Sequence, residues 1–231
     1  MDKSFGETVK PHVNVLIATP GRSMEAEYVK SLVNTISYLQ SQGITYMFLN
    51  EYSSMVSSAR EATAMGDTYL DPFNNSPVRG QVAYDKIIWI DSDIGWEITD
   101  FAKILESDRD IVSGLYFNEK MVPMFSVAVE DAATEIDRIL KSNKEEEIFA
   151  AGFGFIAMKQ GVFEKMQRPW FESLFERMVS EDGEKEVFIP YGEDFAWCKK
   201  AQQTGFKIYL DPTIKLSHYK KVRVRLENYG Q

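Results

Sequence analysis

Two aspartates separated by one residue, Asp91 and Asp93, are the side chains of this sequence best suited to chemistry. They follow the apolar run 86–90, which predicts a buried β-strand. Because side chains two apart on an extended chain point to the same side, both carboxylates should leave the strand end facing one way. In an open α/β sheet this is where ligands bind, so the pair outlines a divalent-cation site.

Two further features make metal binding the favoured reading over a simple turn with a helix cap. Glu193 and Asp194 follow Gly192 at the start of a predicted helix over 193–204, where carboxylates would also stabilise the helix dipole without any other role. His218 lies about two dozen residues further on. A lone histidine is a metal ligand in one interpretation and a structural or solvated residue in the other.

The chain alternates strand and helix patterns, which predicts a mainly parallel sheet with helices on both faces. In the first half we predict strands over 13–18, 45–50 and 86–90, and helices over 25–41, 54–65 and 100–106. The second half is less regular. There we predict strands over 110–117, 124–129, 149–158 and 207–210, an exposed acidic helix or mobile segment over 132–147, and the helix at 193.

Composition limits the classes of function. The chain has 231 residues, a net charge of −9 and a pI near 4.9, which disfavours a broad nucleic-acid footprint but allows local basic patches. Cys198 is the single cysteine, so no internal disulfide can form. We expect no signal peptide and no membrane span, because the longest apolar stretch, 148–158, is far shorter than the roughly 20 residues required. A cytoplasmic protein is therefore expected.

Four motifs occur in an order typical of one family, with a Gly-Phe-Gly segment between the second and third. They are Thr19-Pro20-Gly21-Arg22, Asp91-Ser92-Asp93, Gly192-Glu193-Asp194 and His218. Together they resemble a GT-A type glycosyltransferase over nearly the whole chain. The resemblance implies one Rossmann-like domain over 1–231, with a nucleotide-binding half (1–95) and a smaller mixed acceptor half (96–231) that ends in a basic tail.

The resemblance also implies an activity, namely metal-dependent transfer of a sugar from a UDP-type or GDP-type donor to an acceptor hydroxyl. Asp91, Asp93 and His218 would hold Mn²⁺ or Mg²⁺, with Asp93 a direct ligand and Asp91 sharing the ion or reaching the ribose. Asp194, or Glu193 in its place, would remove the acceptor proton if the reaction inverts the anomeric centre. If configuration is retained, Asp194 would orient the acceptor or the sugar.

Further residues are assigned by the same resemblance. The donor-binding set is Thr19, Pro20, Arg22, Asn50, Arg60, Asp91, Ser92, Gly152, Lys220 and Lys221. The acceptor-binding set is Gly154 and Trp170, the latter for stacking on a sugar. Each has an ordinary alternative: Arg22 as an exposed loop residue, Arg60 in a surface ion pair, the glycines in tight strand packing, and the basic tail (Lys215, Lys220, Lys221, Arg223, Arg225) as a solvated end.

Rival functions stay open. A haloacid-dehalogenase-type phosphatase also has an Asp-x-Asp loop, but there it follows the first core strand, whereas at least two β-α units precede Asp91. A nucleotidyltransferase would need a glycine-rich loop after the first strand, and a binding module could keep this fold without turnover. Among acceptors, hydroxymethylated bases of phage DNA suit the basic tail but not the overall acidity, and saccharides, small molecules and proteins are equally open.

Overall fold

A computed structural model describes residues 10–67, 74–179 and 186–220. Its strands are β1 His12–Ala18, β2 Tyr46–Leu49, β3 Ala83–Ile90, β4 Ile94–Gly95, β5 Ile111–Leu115, β6 Phe125–Ser126, β7 Glu146–Ile148, β8 Ala150–Ala151, β9 Phe155–Lys159, β10 Leu174–Val179, β11 Glu186–Tyr191, β12 Ile208–Lys215 and β13 Ser217–His218. Its α-helices are α1 Ala26–Ser41, α2 Val56–Met65, α3 Ile98–Glu106, α4 Ala132–Leu140, α5 Val162–Lys165 and α6 Glu193–Gln203. None of these helices is long and apolar enough to cross a membrane.

A seven-stranded sheet in the order β2-β1-β3-β9-β5-β12-β7 forms the centre of the fold. Strands β1, β2, β3, β5 and β12 run in one direction, and β9 and β7 run against them. The predicted α/β class with a mainly parallel sheet is therefore confirmed. Since β1, β2 and β3 are parallel, their carboxyl ends meet at one edge of the sheet.

Alternating side chains of the strands feed two cores, one on each face of the sheet. On β3, Ile87 and Trp89 point into the core that contains Trp197 of α6, whereas Ile88 and Ile90 point into the core that contains Phe101 of α3. This period of two is what a strand buried on both sides requires. Helices α1 and α3 cover one face, and α2, α5 and α6 cover the other, as predicted.

The strand predicted over 149–158 is two strands. β8 pairs with β6 in a small separate sheet, and β9 enters the central sheet between β3 and β5. The chain breaks at 152–154 because the Tyr116 ring fills the space beside it. A Cβ at Gly152 would lie 2.2 Å from the Tyr116 hydroxyl oxygen, and one at Gly154 would lie 2.5 Å from Tyr116 Cζ. These two glycines therefore serve strand packing, which was the alternative to ligand contact.

Other boundaries differ where local patterns are weak. The strand predicted over 124–129 shrinks to β6, and the acidic segment 132–147 contains helix α4 followed by β7 at the sheet edge. Arg138 on α4 bridges Glu135 and Glu146, which ties that acidic helix to β7. The hairpin β10–β11 and the short helix α5 were not predicted.

A buried ion pair fixes helix α2, which carries one residue of the candidate site. The side chains of Arg168 and Glu61 are only 6% and 4% exposed and lie 3.2 Å apart, and Glu61 also accepts a hydrogen bond from the backbone N–H of Phe171. Arg168 donates to the carbonyl of Asn74 and packs over the Trp170 ring. These contacts join α2 to the segment that precedes the hairpin.

Breaking that pair should destabilise the protein strongly. Arg168→Met leaves the Glu61 carboxylate buried without its cation, so we expect a loss of about 3–5 kcal/mol in the free energy of unfolding, measured by urea denaturation. Glu61→Gln combined with Arg168→Met should recover part of the loss. The exposed ion pairs of Arg138 provide a control, since Arg138→Met should cost far less than Arg168→Met. Equal losses for the two arginine variants would contradict this account.

Candidate active site

The candidate site lies at the sheet edge where β1, β2 and β3 end. The loops that follow these strands and the first turns of α2 enclose a cavity of about 240 Å³. Its walls are formed by Pro20, Gly21, Tyr52, Ser53, Val56, Ala59, Arg60, Asp91, Ser92 and Asp93. Five residues of the predicted site are thus brought together around one cavity: Pro20, Arg60, Asp91, Ser92 and Asp93.

Arg60 is the buried cation of this site, with 4% of its surface exposed. Its Nη2 lies 3.2 Å from an Asp91 carboxylate oxygen, and its Nε donates to Glu193 at 3.2 Å. Burial alone would lower the pKa of Arg60, but the carboxylates of Asp91, Glu193 and Asp194 raise it above its ordinary value. The guanidinium therefore stays charged and links the end of β3 to the start of α6.

One donor group of Arg60 is left over. Its Nη1 is buried and has no hydrogen-bond partner among the described residues. A buried guanidinium N–H without a partner loses free energy unless an acceptor reaches it. Arg60 lines the cavity, so its guanidinium places a positive charge beside any anionic ligand bound there.

The two acids at the start of α6 have different environments. Glu193 pairs with Arg60, whereas Asp194 accepts a hydrogen bond from the backbone N–H of Phe195 at 2.8 Å. Burial raises the pKa of Asp194 from 3.8 to about 6, with Arg60 opposing the rise and Glu193 adding to it. A carboxylate with this pKa is mostly ionised at neutral pH and still basic enough to accept a proton.

Asp93 and His218 meet through the small sheet β4–β13. His218 pairs in register with Ile94, and the N–H of Tyr219 donates to the Asp93 carbonyl at 2.8 Å. This pairing brings His218 Nε2 to 3.3 Å from Asp93 Oδ2. Lys220 Nζ also contacts Asp93 Oδ2, at 2.7 Å.

The three predicted metal ligands are not gathered at one point. Asp93 and His218 meet, but Asp91 turns to Arg60, because the buried guanidinium attracts it. Across residues 10–67, 74–179 and 186–220, no group of three or more histidine, cysteine or acidic side chains is placed to hold a metal ion. The predicted protein ligand set is thus reduced to two members.

These two members suit a cation. His218 Nδ1 lies 2.8 Å from the carbonyl oxygen of Phe117, which can only accept, so Nδ1 carries a proton. In the neutral ring the Nε2 lone pair then faces Asp93 Oδ2, the same oxygen that accepts from Lys220 Nζ. A carboxylate beside an imidazole whose other nitrogen is fixed by a carbonyl is a donor set that fits Mn²⁺.

The loop after β1 is held by groups that were predicted to bind a donor. The hydroxyl of Thr19 is buried against the Tyr28 hydroxyl, and the Asn50 side-chain amide donates to the carbonyls of Thr19 and Gly21. The Thr19 hydroxyl and the Asn50 amide nitrogen are therefore occupied within the protein. Gly21 has a φ of +142°, a backbone conformation that residues with a side chain rarely adopt. A Cβ at this position would lie 3.2 Å from Ser92 Oγ.

Trp170 is not a stacking surface, which corrects the prediction for it. It is fully buried, and its indole N–H donates to the carbonyl of Phe163 at 3.1 Å. Its side chain packs into one core of the sheet. Gly154, the other predicted acceptor residue, donates its N–H to the hydroxyl of Tyr116 and so also serves packing.

The remaining predicted donor residues have three different outcomes. Arg22 is exposed and lies over the ring of Tyr52 at 5.8 Å, outside the residues that line the cavity. Lys220 is at the site through Asp93. Lys221 lies outside the described residues, as do Arg223 and Arg225.

Sequence reasoning missed two aromatic residues. Tyr52 lines the cavity. Its position in the loop after β2, two residues beyond Asn50, was the sequence signal that could have identified it. Tyr116 is buried between β5 and the glycine segment, and burial and the nearby Asp91 raise its pKa. No pattern marked Tyr116, because its position depends on strands that are distant in sequence.

No protein-family model and no curated protein matches this sequence. Among solved structures, the chain is similar to the crystal structure of A197 from STIV, with 18% sequence identity and a TM-score of 0.51. The match covers 94% of this chain and 99% of that chain. This likeness shows a shared fold.

Two further solved structures are similar at TM-scores below 0.5. The catalytic domain of Drosophila beta1,4galactosyltransferase 7 in complex with xylobiose has 11% identity and a TM-score of 0.49, over 90% of this chain and 71% of that chain. GalNAc-T7 with UDP, GalNAc and Mn²⁺ has 11% identity and a TM-score of 0.48, over 91% of this chain and 44% of that chain. At these scores the likeness does not establish a function.

Asp194 should make stability depend on pH in an unusual direction. Its pKa is higher in the folded protein, about 6, than its ordinary 3.8, so the folded state holds the proton more tightly. The contribution of Asp194 to the free energy of unfolding is therefore greatest below pH 4 and is lost as the pH rises through 6. We expect the stability of the wild type relative to Asp194→Asn to fall over that range in urea titrations. A stability difference between the two proteins that does not change with pH would contradict a raised pKa for Asp194.

Proposed function

We propose that this protein is a glycosyltransferase that moves a sugar from a nucleotide diphosphate sugar to an acceptor hydroxyl. One observation carries the proposal. At the carboxyl ends of β1, β2 and β3, a cavity is lined by the buried Arg60 and by Asp93, which pairs with His218, and the carboxylate of Asp194 lies near the same arginine. The arginine and the Asp-His pair would serve an anionic leaving group. The carboxylate of Asp194 would serve as the base for an acceptor hydroxyl.

The donor side is assigned from the cavity walls. The Arg60 guanidinium and the Lys220 ammonium would bind the diphosphate, since Arg60 lines the cavity and Lys220 contacts Asp93. Asp93 and His218 would hold a divalent cation, which when bound supplies charge neutralisation for the departing diphosphate. The ring of Tyr52 and the loop at Pro20 would receive the nucleoside, and Asp91 and Ser92 would face its ribose.

The acceptor side is assigned to Asp194. Its carboxylate would take the proton of the attacking hydroxyl while the new bond forms to the anomeric carbon and the bond to the diphosphate oxygen breaks. One of its oxygens accepts from the Phe195 N–H, which fixes the carboxylate. Glu193 is the weaker candidate because Arg60 holds it in an ion pair. A positioned base supports inversion of configuration over retention.

Among the rivals, no described residue favours a phosphatase or a DNA acceptor. A nucleophilic Asp91 would be weakened by its contacts with Arg60 at 3.2 and 3.4 Å. The net charge of the chain is −9, which disfavours a broad surface for a phosphate backbone.

The donor-side assignment is tested by sugar-nucleotide turnover. The protein, incubated with Mn²⁺ and a panel of UDP-sugars and GDP-sugars, should release UDP or GDP slowly by hydrolysis and faster when acceptor is added, as measured by chromatography. Asp93→Ala should lower turnover by at least about 100-fold, because it removes a direct ligand of the ion. Asp85→Ala, an exposed aspartate near the opposite end of β3, is the matched control and should keep full activity. Full activity of Asp93→Ala would refute the assignment.

The base assignment is tested by the pH dependence of the same reaction. Turnover should increase with pH through an apparent pKa of about 6, since only ionised Asp194 can accept the hydroxyl proton. Asp194→Asn should abolish this increase with pH and lower transfer by about 10²–10⁴-fold. Donor binding, measured by thermal shift, should persist in this variant. An unchanged pH profile in Asp194→Asn would exclude Asp194 as the base.

A further inference from the structure

The hairpin β10–β11 carries an exposed apolar face. Directly opposite residues of an antiparallel pair share a face, so alternate pairs of this hairpin point to opposite sides. One side, here named the outer face, consists of Phe175, Arg177, Val179, Glu186, Phe188 and Pro190. Phe175, Phe188 and Val179 are 71%, 66% and 61% exposed, which is unusual for large apolar side chains so close together.

The opposite side of the hairpin is fixed to helix α6. Lys199 of α6 forms an ion pair with Glu176 and lies 5.5 Å from the centre of the Tyr191 ring. Glu176 and Tyr191 belong to the pairs that alternate with those of the outer face. The hairpin is therefore oriented by its inner face, and its aromatic residues are presented to solvent.

The outer face begins close to the proposed base. Pro190 precedes Asp194 by four residues, so their Cα atoms can be no more than about 14 Å apart. Phe175 pairs directly with Pro190, and Phe188 lies one step further along the hairpin. The end of the outer face formed by Pro190 and Phe175 is therefore the end nearer to Asp194 along the chain.

The chemistry of the face selects among occupants. Its one cation, Arg177, forms an ion pair with its one acid, Glu186, so the face has no positive excess for a nucleic-acid backbone. Its three exposed apolar side chains are too few for the roughly 800 Å² per partner that a stable dimer buries, given about 150–250 Å² for each aromatic ring. Two rings beside a polar pair match a sugar, whose C–H faces stack on aromatic rings and whose hydroxyls bond to charged groups.

We propose that the outer face of β10–β11 binds a saccharide chain, and that this chain is the acceptor whose hydroxyl end reaches Asp194. The role as acceptor rests on the proposed function, whereas saccharide binding itself does not. The face provides the stacking surface that the buried Trp170 cannot provide.

The test uses the full chain and linear tetrasaccharides of glucose, galactose, mannose and xylose. Saturation-transfer NMR should show binding of at least one of them to the wild type. Phe175→Ala combined with Phe188→Ala should weaken that binding about tenfold, through the loss of two stacking contacts. The KM for the same saccharide as acceptor should rise by a similar factor, with the KM for the donor unchanged. Phe48→Ala, a partly exposed phenylalanine on β2, is the control and should change neither value.

The possible outcomes separate the two proposals. Absence of binding to every tetrasaccharide, or equal binding by the wild type and the double variant, would overturn the saccharide face. A wild-type dimer that the double variant converts to monomer, measured by light scattering, would instead assign the face to self-association. Saccharide binding that is lost in the double variant, with no release of UDP or GDP by the wild type, would support the face and refute the proposed function.

Discussion

The arrangement of the site depends on the ion pairs of one buried guanidinium. Arg60 projects from α2 between the end of β3 and the start of α6, and it holds Asp91 and Glu193 at the same time. Without that charge, two carboxylates and the neighbouring Asp194 would share a poorly solvated space and repel one another. Arg60 thus sets the position of Asp91, engages Glu193 and leaves Asp194 as the acid with a raised pKa.

A second constraint closes the site from the carboxyl-terminal side. The pairing of β13 with β4 places His218 and Lys220 against Asp93, across 125 and 127 positions of sequence. Gly95 permits this approach, because a Cβ there would lie 2.8 Å from the Tyr219 ring. Asp91 therefore belongs to a cluster around Arg60 of α2. Asp93 belongs to a second cluster, with His218 and Lys220.

Local patterns were sufficient for much of the fold. The strands β1, β2 and β3 and the helices α1, α2 and α3 were predicted, because a buried strand and an amphipathic helix each leave a periodic signal within a short window. The second half was harder to predict, because β6, β7, β8 and the hairpin β10–β11 are short and depend on partners far along the chain. The segment 149–158 illustrates this point, since its break at Gly152 is explained by the Tyr116 ring and not by any neighbour in sequence.

The sequence by itself determined the α/β class, the placement of Asp91 and Asp93 at a strand end, and the placement of Glu193 and Asp194 in the first turn of a helix. These are properties of backbone periodicity, which acts over a few residues. The tertiary structure alone decided which acid meets which cation, that Trp170 is buried, and that Phe175 and Phe188 are exposed. Such outcomes depend on contacts like that of Arg60 with Glu193, 133 positions apart, which no local pattern encodes.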